Sequence, residues 1–273
     1  MKDATTFPRR AVTTQAANWP LGAYFFLTYA ISWSIGIPLA FAHQGIIPAI
    51  LPAWTHYLIP FGPMLAALIV TGMSQGLPGL RDLVRRMFLW RACPKWWIIA
   101  FSPLLLGYLI LVILNRASGS ALGLSDLGAV SYLPPLGTGA LLLWIFTFGL
   151  GEETGWRGFA LPRLQKGRSA LAATLILATF WAFWHLPQFF YVLDPAFAAG
   201  WVIGLFAGAV LLTWLYNSTK DSILMVAIWH GCFNFMTAST AETGFLPAIL
   251  SLIVIFWAVF VIIRYKPKYL MSI

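Results

Sequence analysis

Apolar segments long enough to cross a lipid bilayer make up most of this chain. A helix that spans a hydrocarbon core of about 30 Å needs about 20 mostly apolar residues. Hydropathy delimits eight such segments, at residues 21–42, 56–73, 96–114, 136–159, 169–192, 196–216, 222–239 and 245–263. Helices satisfy their own backbone hydrogen bonds in lipid. The sequence therefore predicts an all-α polytopic membrane protein with about eight transmembrane helices.

The composition excludes several other classes of protein. Hydrophobic residues make up 60% of the 273 residues and charged residues only 9%, whereas soluble domains carry about 25% charged residues. The chain has too few polar groups to cover a soluble globular surface, which excludes a cytosolic enzyme and a disordered protein. The net charge of +9 comes from short basic clusters between apolar segments, so no nucleic-acid partner is expected.

The basic clusters also predict the topology. In an eight-span arrangement they fall on one side of the membrane, and only Arg116 falls on the other. By the positive-inside rule, both termini are predicted to be cytoplasmic in a multi-pass protein of the cell membrane. The predicted organisation is a cytoplasmic tail at 1–20, a single transmembrane domain at 21–264 and a cytoplasmic tail at 265–273. The basic amphipathic stretch 80–89 is predicted to contact membrane lipid.

Two adjacent carboxylates inside the fourth predicted span are the strongest indication of function. Ionisable residues inside a membrane are costly and usually functional. Glu153 and Arg157 are four residues apart with the acid first, which favours an ion pair on one helix face. Glu152 points about 100° away from that face. It is therefore predicted to be the carboxylate left free.

Three further polar residues lie inside other predicted spans. His185 is in the fifth span, and His230 and Asn234 lie one helical turn apart in the seventh. At about 1.5 Å per residue, these residues and Glu152 lie roughly 15–25 Å from the cytoplasmic basic residues. Taken singly, each histidine or asparagine could be an interhelical hydrogen-bonding residue. Together with Glu152 they predict one polar site in the core of the bundle.

The same residues carry a family resemblance. Residues 152–157 (EETGWR) match an EExxxR motif, residues 181–185 (WAFWH) match FxxxH with Trp in place of Phe, and residues 230–234 (HGCFN) match HxxxN. With these motifs in this order, in a core of about 136–239, the chain resembles the CPBP family. This family contains the type II CAAX prenyl endopeptidases and the bacterial Abi proteins. The exchange of Phe for Trp is expected to leave the role of His185 intact.

The resemblance implies an eight-helix intramembrane endopeptidase that acts on a peptide or a membrane-protein substrate. It implies that Glu152 and His185 activate a water molecule, and that His230 and Asn234 hold the oxyanion, with Glu153 and Arg157 in support. The residues after the first motif (GFALPRLQ) are typical of bacterial members. This context favours a branch other than the one that cleaves prenylated CAAX proteins.

Three alternatives to this interpretation stay open. A zinc protease would use Glu152, His185 and His230 as ligands with water in the fourth position. The chain has no HExxH pattern, and the ion pair leaves no carboxylate to orient a zinc-bound histidine. Hydrolysis without a cofactor is therefore favoured over zinc. A transporter is disfavoured because the two halves show no repeat, and a non-catalytic immunity or scaffold protein is disfavoured because the motif residues are intact.

Overall fold

Helices account for the regular structure of the chain. The computed structural model describes residues 19–119, 123, 127, 136–137, 139–193, 195–238 and 245–272. The α-helices are α1 (Trp19–His43), α2 (Phe61–Met87), α3 (Pro94–Ala100), α4 (Ser102–Ser118), α5 (Gly139–Trp144), α6 (Glu153–Gly155), α7 (Leu161–Leu164), α8 (Ala170–Trp184), α9 (Ala198–Ser218), α10 (Ile223–Thr237) and α11 (Phe245–Tyr269). These described ranges contain no strand. The predicted all-α class is confirmed.

Several of these helices are suited to cross a membrane. Five described segments are long and apolar enough, namely Trp19–His43, Ala53–Met87, Ala170–Phe190, Pro195–Ser218 and Phe245–Tyr269. Helices α3 and α4 meet at a 52° bend and make a sixth if they form one broken span. Helix α10 is apolar but has only 15 residues. The fold is thus that of a polytopic membrane protein with five or six such spans in its described part, and the count of eight stays a prediction.

Residues 139–164, which we call the central segment, are helical without a break. Two stretches of π-helix, Ile145–Glu152 and Trp156–Ala160, alternate with α5, α6 and α7. A π-helix bonds residues five apart and is frequently found at functional sites. The periodicity of 3.6 residues per turn, from which the directions of the two glutamates were predicted, therefore does not hold throughout this segment. The wider π turns change the helical geometry on both sides of the two glutamates.

An arginine on α2 ties the central segment to its neighbours. The Nη1 atom of Arg86 donates hydrogen bonds to the Gly158 carbonyl oxygen at 2.9 Å and to the Tyr216 hydroxyl at 2.6 Å. Gly158 lies in the second π stretch and Tyr216 on α9. The side chain thus joins three elements near one end of the bundle.

Glycines allow the central segment to lie directly against the start of α2. A Cβ atom added at Gly155 would lie 2.5 Å from the carbonyl oxygen of Pro63, and one added at Gly151 would lie 2.8 Å from that of Pro60. Backbone atoms of the two elements are therefore in close contact, in the small-residue packing that is typical of membrane helices. This contact holds the backbone on both sides of the two glutamates against the start of α2.

The fifth predicted span is not a single α-helix. Helix α8 ends at Trp184, and a short 3-10 helix, Leu186–Phe190, follows. Pro187 explains the change, because proline lacks an N–H and clashes with the carbonyl group four residues before it. The predicted span is nevertheless present as the apolar segment Ala170–Phe190, and His185 lies inside it. Within that segment, His185 is the C-cap residue of α8.

The predicted amphipathic stretch 80–89 lies mostly within α2, beyond a kink at Gly76, where φ is 62°. Leu83 and Met87 are buried, whereas Arg81 and Arg85 are exposed. Leu83 and Met87 thus pack in the core of the protein, whereas the apolar side chains of Val84 and Phe88 are exposed. Contact of this stretch with membrane lipid stays a prediction.

Candidate active site

A carboxylate shared by an arginine and a histidine lies in the core of the bundle. The Nη1 atom of Arg157 donates to Oε1 of Glu153 at 2.8 Å, and both side chains are fully buried. The ion pair predicted from their spacing is thus present. The same carboxylate oxygen lies 2.8 Å from Nδ1 of His230 on α10. A carboxylate oxygen only accepts, so Nδ1 of His230 carries a proton.

The second carboxylate is held by a tryptophan. The indole Nε1 of Trp181 on α8 donates to Oε2 of Glu152 at 2.6 Å, and Glu152 is only 1% exposed. The prediction that this carboxylate is left free is wrong in this respect, although it stands outside the ion pair of Glu153. The other oxygen, Oε1, accepts no hydrogen bond from the described part of the chain.

The backbone of the same tryptophan orients His185. Nδ1 of His185 lies 2.7 Å from the carbonyl oxygen of Trp181. Because a carbonyl only accepts, Nδ1 donates this hydrogen bond, and Nε2 of the neutral ring keeps its lone pair. The rings of Trp184 and Trp201 meet the imidazole edge to face at centroid distances of 4.7 and 4.8 Å. These contacts fix the plane of the imidazole.

The fourth predicted residue is less closely connected. Asn234 lies one helical turn after His230 on α10 and is half-buried. Its carboxamide makes no hydrogen bond with the described residues, whereas its backbone carbonyl accepts from the N–H of Ala238 and from the hydroxyl of Thr237. The structure therefore brings Glu152, Glu153, Arg157, His185 and His230 into one network through Trp181, and it leaves Asn234 beside that network.

Unused hydrogen-bonding atoms remain in this buried network. Oε2 of Glu153 and the Nε and Nη2 atoms of Arg157 have no partner among the described residues. The Cζ atom of Arg157 lies 4.5 Å from the centre of the Trp181 ring, which stabilises the cation through its π face. Buried polar groups without partners are costly. They are typical of a site that binds water or a ligand.

One part of the argument against zinc needs correction. The pairing of Glu153 with Arg157 was expected to leave no carboxylate to orient a zinc-bound histidine, yet Glu153 accepts a hydrogen bond from His230 as well as from Arg157. Within the described ranges, no three His, Cys, Asp or Glu side chains are grouped as metal ligands. Whether Glu152, His185 and His230 bind zinc is therefore a question for metal analysis.

Two interactions of the site were missed by sequence reasoning. Trp181 bonds Glu152 across 29 positions of the chain, and His230 bonds Glu153 across 77 positions. Helical periodicity relates only residues within a few turns, so it could predict neither bond. One sequence signal for the first bond existed. Trp181 lies four residues before His185 and replaces a phenylalanine in the motif, which adds an N–H donor.

Comparison with known proteins agrees with the motifs. Residues 134–236 match the family described as "Type II CAAX prenyl endopeptidase Rce1-like". The chain is also 25% identical over 248 residues to a protein of Methanococcus maripaludis named "CAAX prenyl protease 2", a match that covers 81% of this chain and 86% of that protein. Both matches agree with the resemblance of the motifs to the CPBP/CAAX family. They support a peptide hydrolase of the intramembrane endopeptidase type, with a peptide or membrane-protein substrate.

Proposed function

We propose that this protein hydrolyses a peptide bond at the buried network with a water molecule activated by Glu152 and His185. The observation that carries the proposal is the position of Glu152. Its carboxylate is buried and is separate from the ion pair of Glu153. One of its oxygen atoms, Oε1, accepts no hydrogen bond from the described residues. A positioned carboxylate of this kind can take a proton from water.

His185 supports the same step. With the proton on Nδ1 held by the Trp181 carbonyl, the lone pair of Nε2 can accept a hydrogen bond from the attacking water. The water oxygen then forms a bond to the substrate carbonyl carbon, and one of its protons passes to Glu152. Collapse of the tetrahedral intermediate breaks the C–N bond, and the proton on Glu152 passes to the leaving amine.

We propose that His230 and Asn234 stabilise the negative charge that develops on the carbonyl oxygen of the substrate. Nδ1 of His230 donates a hydrogen bond to the Glu153 carboxylate, which fixes the direction of the imidazole. In this proposal Nε2 also carries a proton when the oxyanion forms, so that its N–H is a charge-assisted donor in a site that excludes water. The Asn234 carboxamide, one turn further along α10, would provide a neutral donor.

The substrate class follows from chemistry and from the family. A site enclosed by apolar helices takes a peptide that is itself associated with the membrane. The relative from Methanococcus maripaludis is named "CAAX prenyl protease 2". The residues that follow the first motif are typical of bacterial members, however, and favour a substrate without a prenyl group. We propose a membrane-associated peptide whose cleavage does not depend on a prenyl group.

Cleavage of two peptides by reconstituted protein tests the proposal. The purified protein is placed in phosphatidylglycerol-containing liposomes with an internally quenched peptide that ends in a CAAX sequence, either unmodified or farnesylated. We expect cleavage of the unmodified peptide at one internal bond, identified by mass spectrometry. Cleavage of the farnesylated peptide alone would overturn the substrate proposal. Cleavage of neither, together with proton or ion flux into the liposomes, would favour the transporter.

Metal analysis of the same preparation tests the chemistry. The account expects active protein that contains no stoichiometric metal, measured by elemental analysis beside the cleavage rate. Chelator inhibition alone is insufficient, because a chelator can perturb a membrane protein. One zinc atom per chain, lost and restored together with activity, would contradict this expectation. The proposed activation of water by a carboxylate would then have to be replaced by metal-assisted hydrolysis.

A further inference from the structure

Trp181 contacts both residues to which we assign the activation of water. Its indole Nε1 donates to Oε2 of Glu152 at 2.6 Å, and its carbonyl oxygen accepts from Nδ1 of His185 at 2.7 Å. One residue of α8 thus fixes a carboxylate of the central segment through its side chain and an imidazole through its backbone. Only the first of these contacts depends on the identity of the side chain.

The indole ring is itself held in place. Trp181 is 5% exposed, with the guanidinium carbon of Arg157 4.5 Å from its ring centre. The His230 ring meets it nearly at right angles, with a centroid distance of 5.4 Å. Rotation of the indole would break the hydrogen bond to Glu152 and both ring contacts, so the direction of the N–H is defined by packing.

We propose that Trp181 is a positioning residue, which holds the Glu152 carboxylate through its indole N–H so that the other oxygen points at the substrate water. An indole N–H can only donate, and a donor to a carboxylate favours the ionised form that acts as a base. The catalytic consequence rests on the proposed function above. The contact itself does not.

The proposal concerns a feature in which this chain departs from the motif of the family. The FxxxH motif places a phenylalanine where this chain has Trp181. A phenyl ring can keep the stacking with Arg157 and His230 but has no N–H to donate. The exchange that the sequence analysis treated as neutral for His185 therefore adds a specific contact to Glu152.

Other charged and titratable groups surround Glu152 and contribute to its pH response. They come from its own segment, from α10, from α1 and from the end of α8, and they are Glu153, Arg157, His230, Tyr24 and His185. None of these groups is altered by a change at position 181 from Trp to Phe. The change removes the indole N–H together with part of the ring, so a variant that keeps the ring shape and lacks only the N–H isolates the effect of the N–H.

Kinetics of Trp181→Phe test the catalytic consequence. We expect kcat on the quenched peptide to fall about tenfold near neutral pH, with KM within twofold. The reason is that a displacement of the ionisation of the carboxyl group by about one pH unit changes the ratio of its ionised to protonated form about tenfold. The acidic limb of the pH–rate profile is expected to move up by about one pH unit. The sign follows because loss of a donor to the carboxylate favours its protonated form, so the base is lost at a higher pH as the solution is acidified.

A spectroscopic measurement tests the contact without activity. The carboxylate stretching band of Glu152 is assigned as the infrared band that disappears in Glu152→Gln. We expect this band to change frequency in Trp181→Phe and to stay unchanged in Trp214→Phe. Trp214 is a matched control, because it is 4% exposed, its Nε1 has no partner among the described residues, and it packs against Trp96 and Trp257.

The outcomes separate this proposal from the proposed function. If the wild-type protein cleaves no peptide but the band shifts, the positioning contact stands and the function fails. An unchanged band together with an unchanged pH profile in Trp181→Phe overturns the positioning role. Should Trp181→Phe not fold, 3-benzothienyl-alanine at position 181 keeps the ring shape and removes only the N–H, and the same band shift decides.

Discussion

A single oxygen atom of Glu153 accepts from two buried partners. Oε1 lies 2.8 Å from Nη1 of Arg157 and 2.8 Å from Nδ1 of His230. A carboxylate shared in this way links the central segment to α10 and neutralises an arginine that is fully buried. At the scale of residues, Glu153 is therefore expected to stabilise the fold and to orient His230, whereas Glu152 is expected to do the chemistry.

Glu153→Gln should destabilise the protein. It leaves the Arg157 charge buried without its counter-ion, and breaking a buried ion pair typically costs about 3–5 kcal/mol. Thermal unfolding in detergent should show a clearly lower midpoint than that of the wild type. Glu152→Gln is the matched control, because the neighbouring glutamate stands outside the ion pair and a glutamine can still accept from Trp181. A larger loss of stability in Glu152→Gln would reverse the assignment.

The local part of the site could be predicted from the sequence and the rest could not. The pairing of Glu153 with Arg157 follows from a spacing of four residues on one helix. The bonds of Glu153 with His230 and of Glu152 with Trp181 join different elements, so their existence depends on how the helices pack. Residue type restricts such partners, but only the fold selects them.

At the scale of elements, the central segment depends on its glycines. Gly155→Ala would place a methyl group 2.5 Å from the Pro63 carbonyl oxygen, and this backbone atom cannot rotate away. Overpacking of this kind costs about 1–3 kcal/mol. We therefore expect a lower unfolding midpoint and reduced peptide cleavage, because the glutamates would move away from α8 and α10.

Gly204→Ala on α9 is the control for this change. An added Cβ there meets nothing within 4 Å, and alanine favours a helix more than glycine does. Its unfolding midpoint should equal or exceed that of the wild type. Equal stability and equal activity of both alanine variants would contradict the close packing of the central segment on α2.

Hydropathy predicted where the helices lie better than how they end or how they are wound. Each of the eight predicted segments overlaps a helical region of the structure, but α8 stops at Trp184 before a proline. The π stretches of the central segment have no simple sequence signal. Arg86 donates to the Gly158 carbonyl inside the second of these stretches, and a contact between such distant residues cannot be read from local periodicity.

At the scale of the whole molecule, the placement of both termini in the cytoplasm is a prediction that labelling can test. We propose single cysteines at Arg116 and Lys220, which are both exposed, in a background without Cys93 and Cys232. A membrane-impermeant reagent added outside intact cells should label position 116 and not position 220. Labelling of position 220 alone would show that the topology is the inverse of the predicted one.

The central claim is that Glu152 is the base that activates water. The most direct test is the ratio of peptide-cleavage rates of wild-type and Glu152→Gln protein in the same liposomes, with equal amounts of folded protein established by thermal unfolding. A positioned general base contributes about 10²–10⁴-fold, so the account predicts a fall of that size. Cleavage by Glu152→Gln within twofold of the wild-type rate would contradict it.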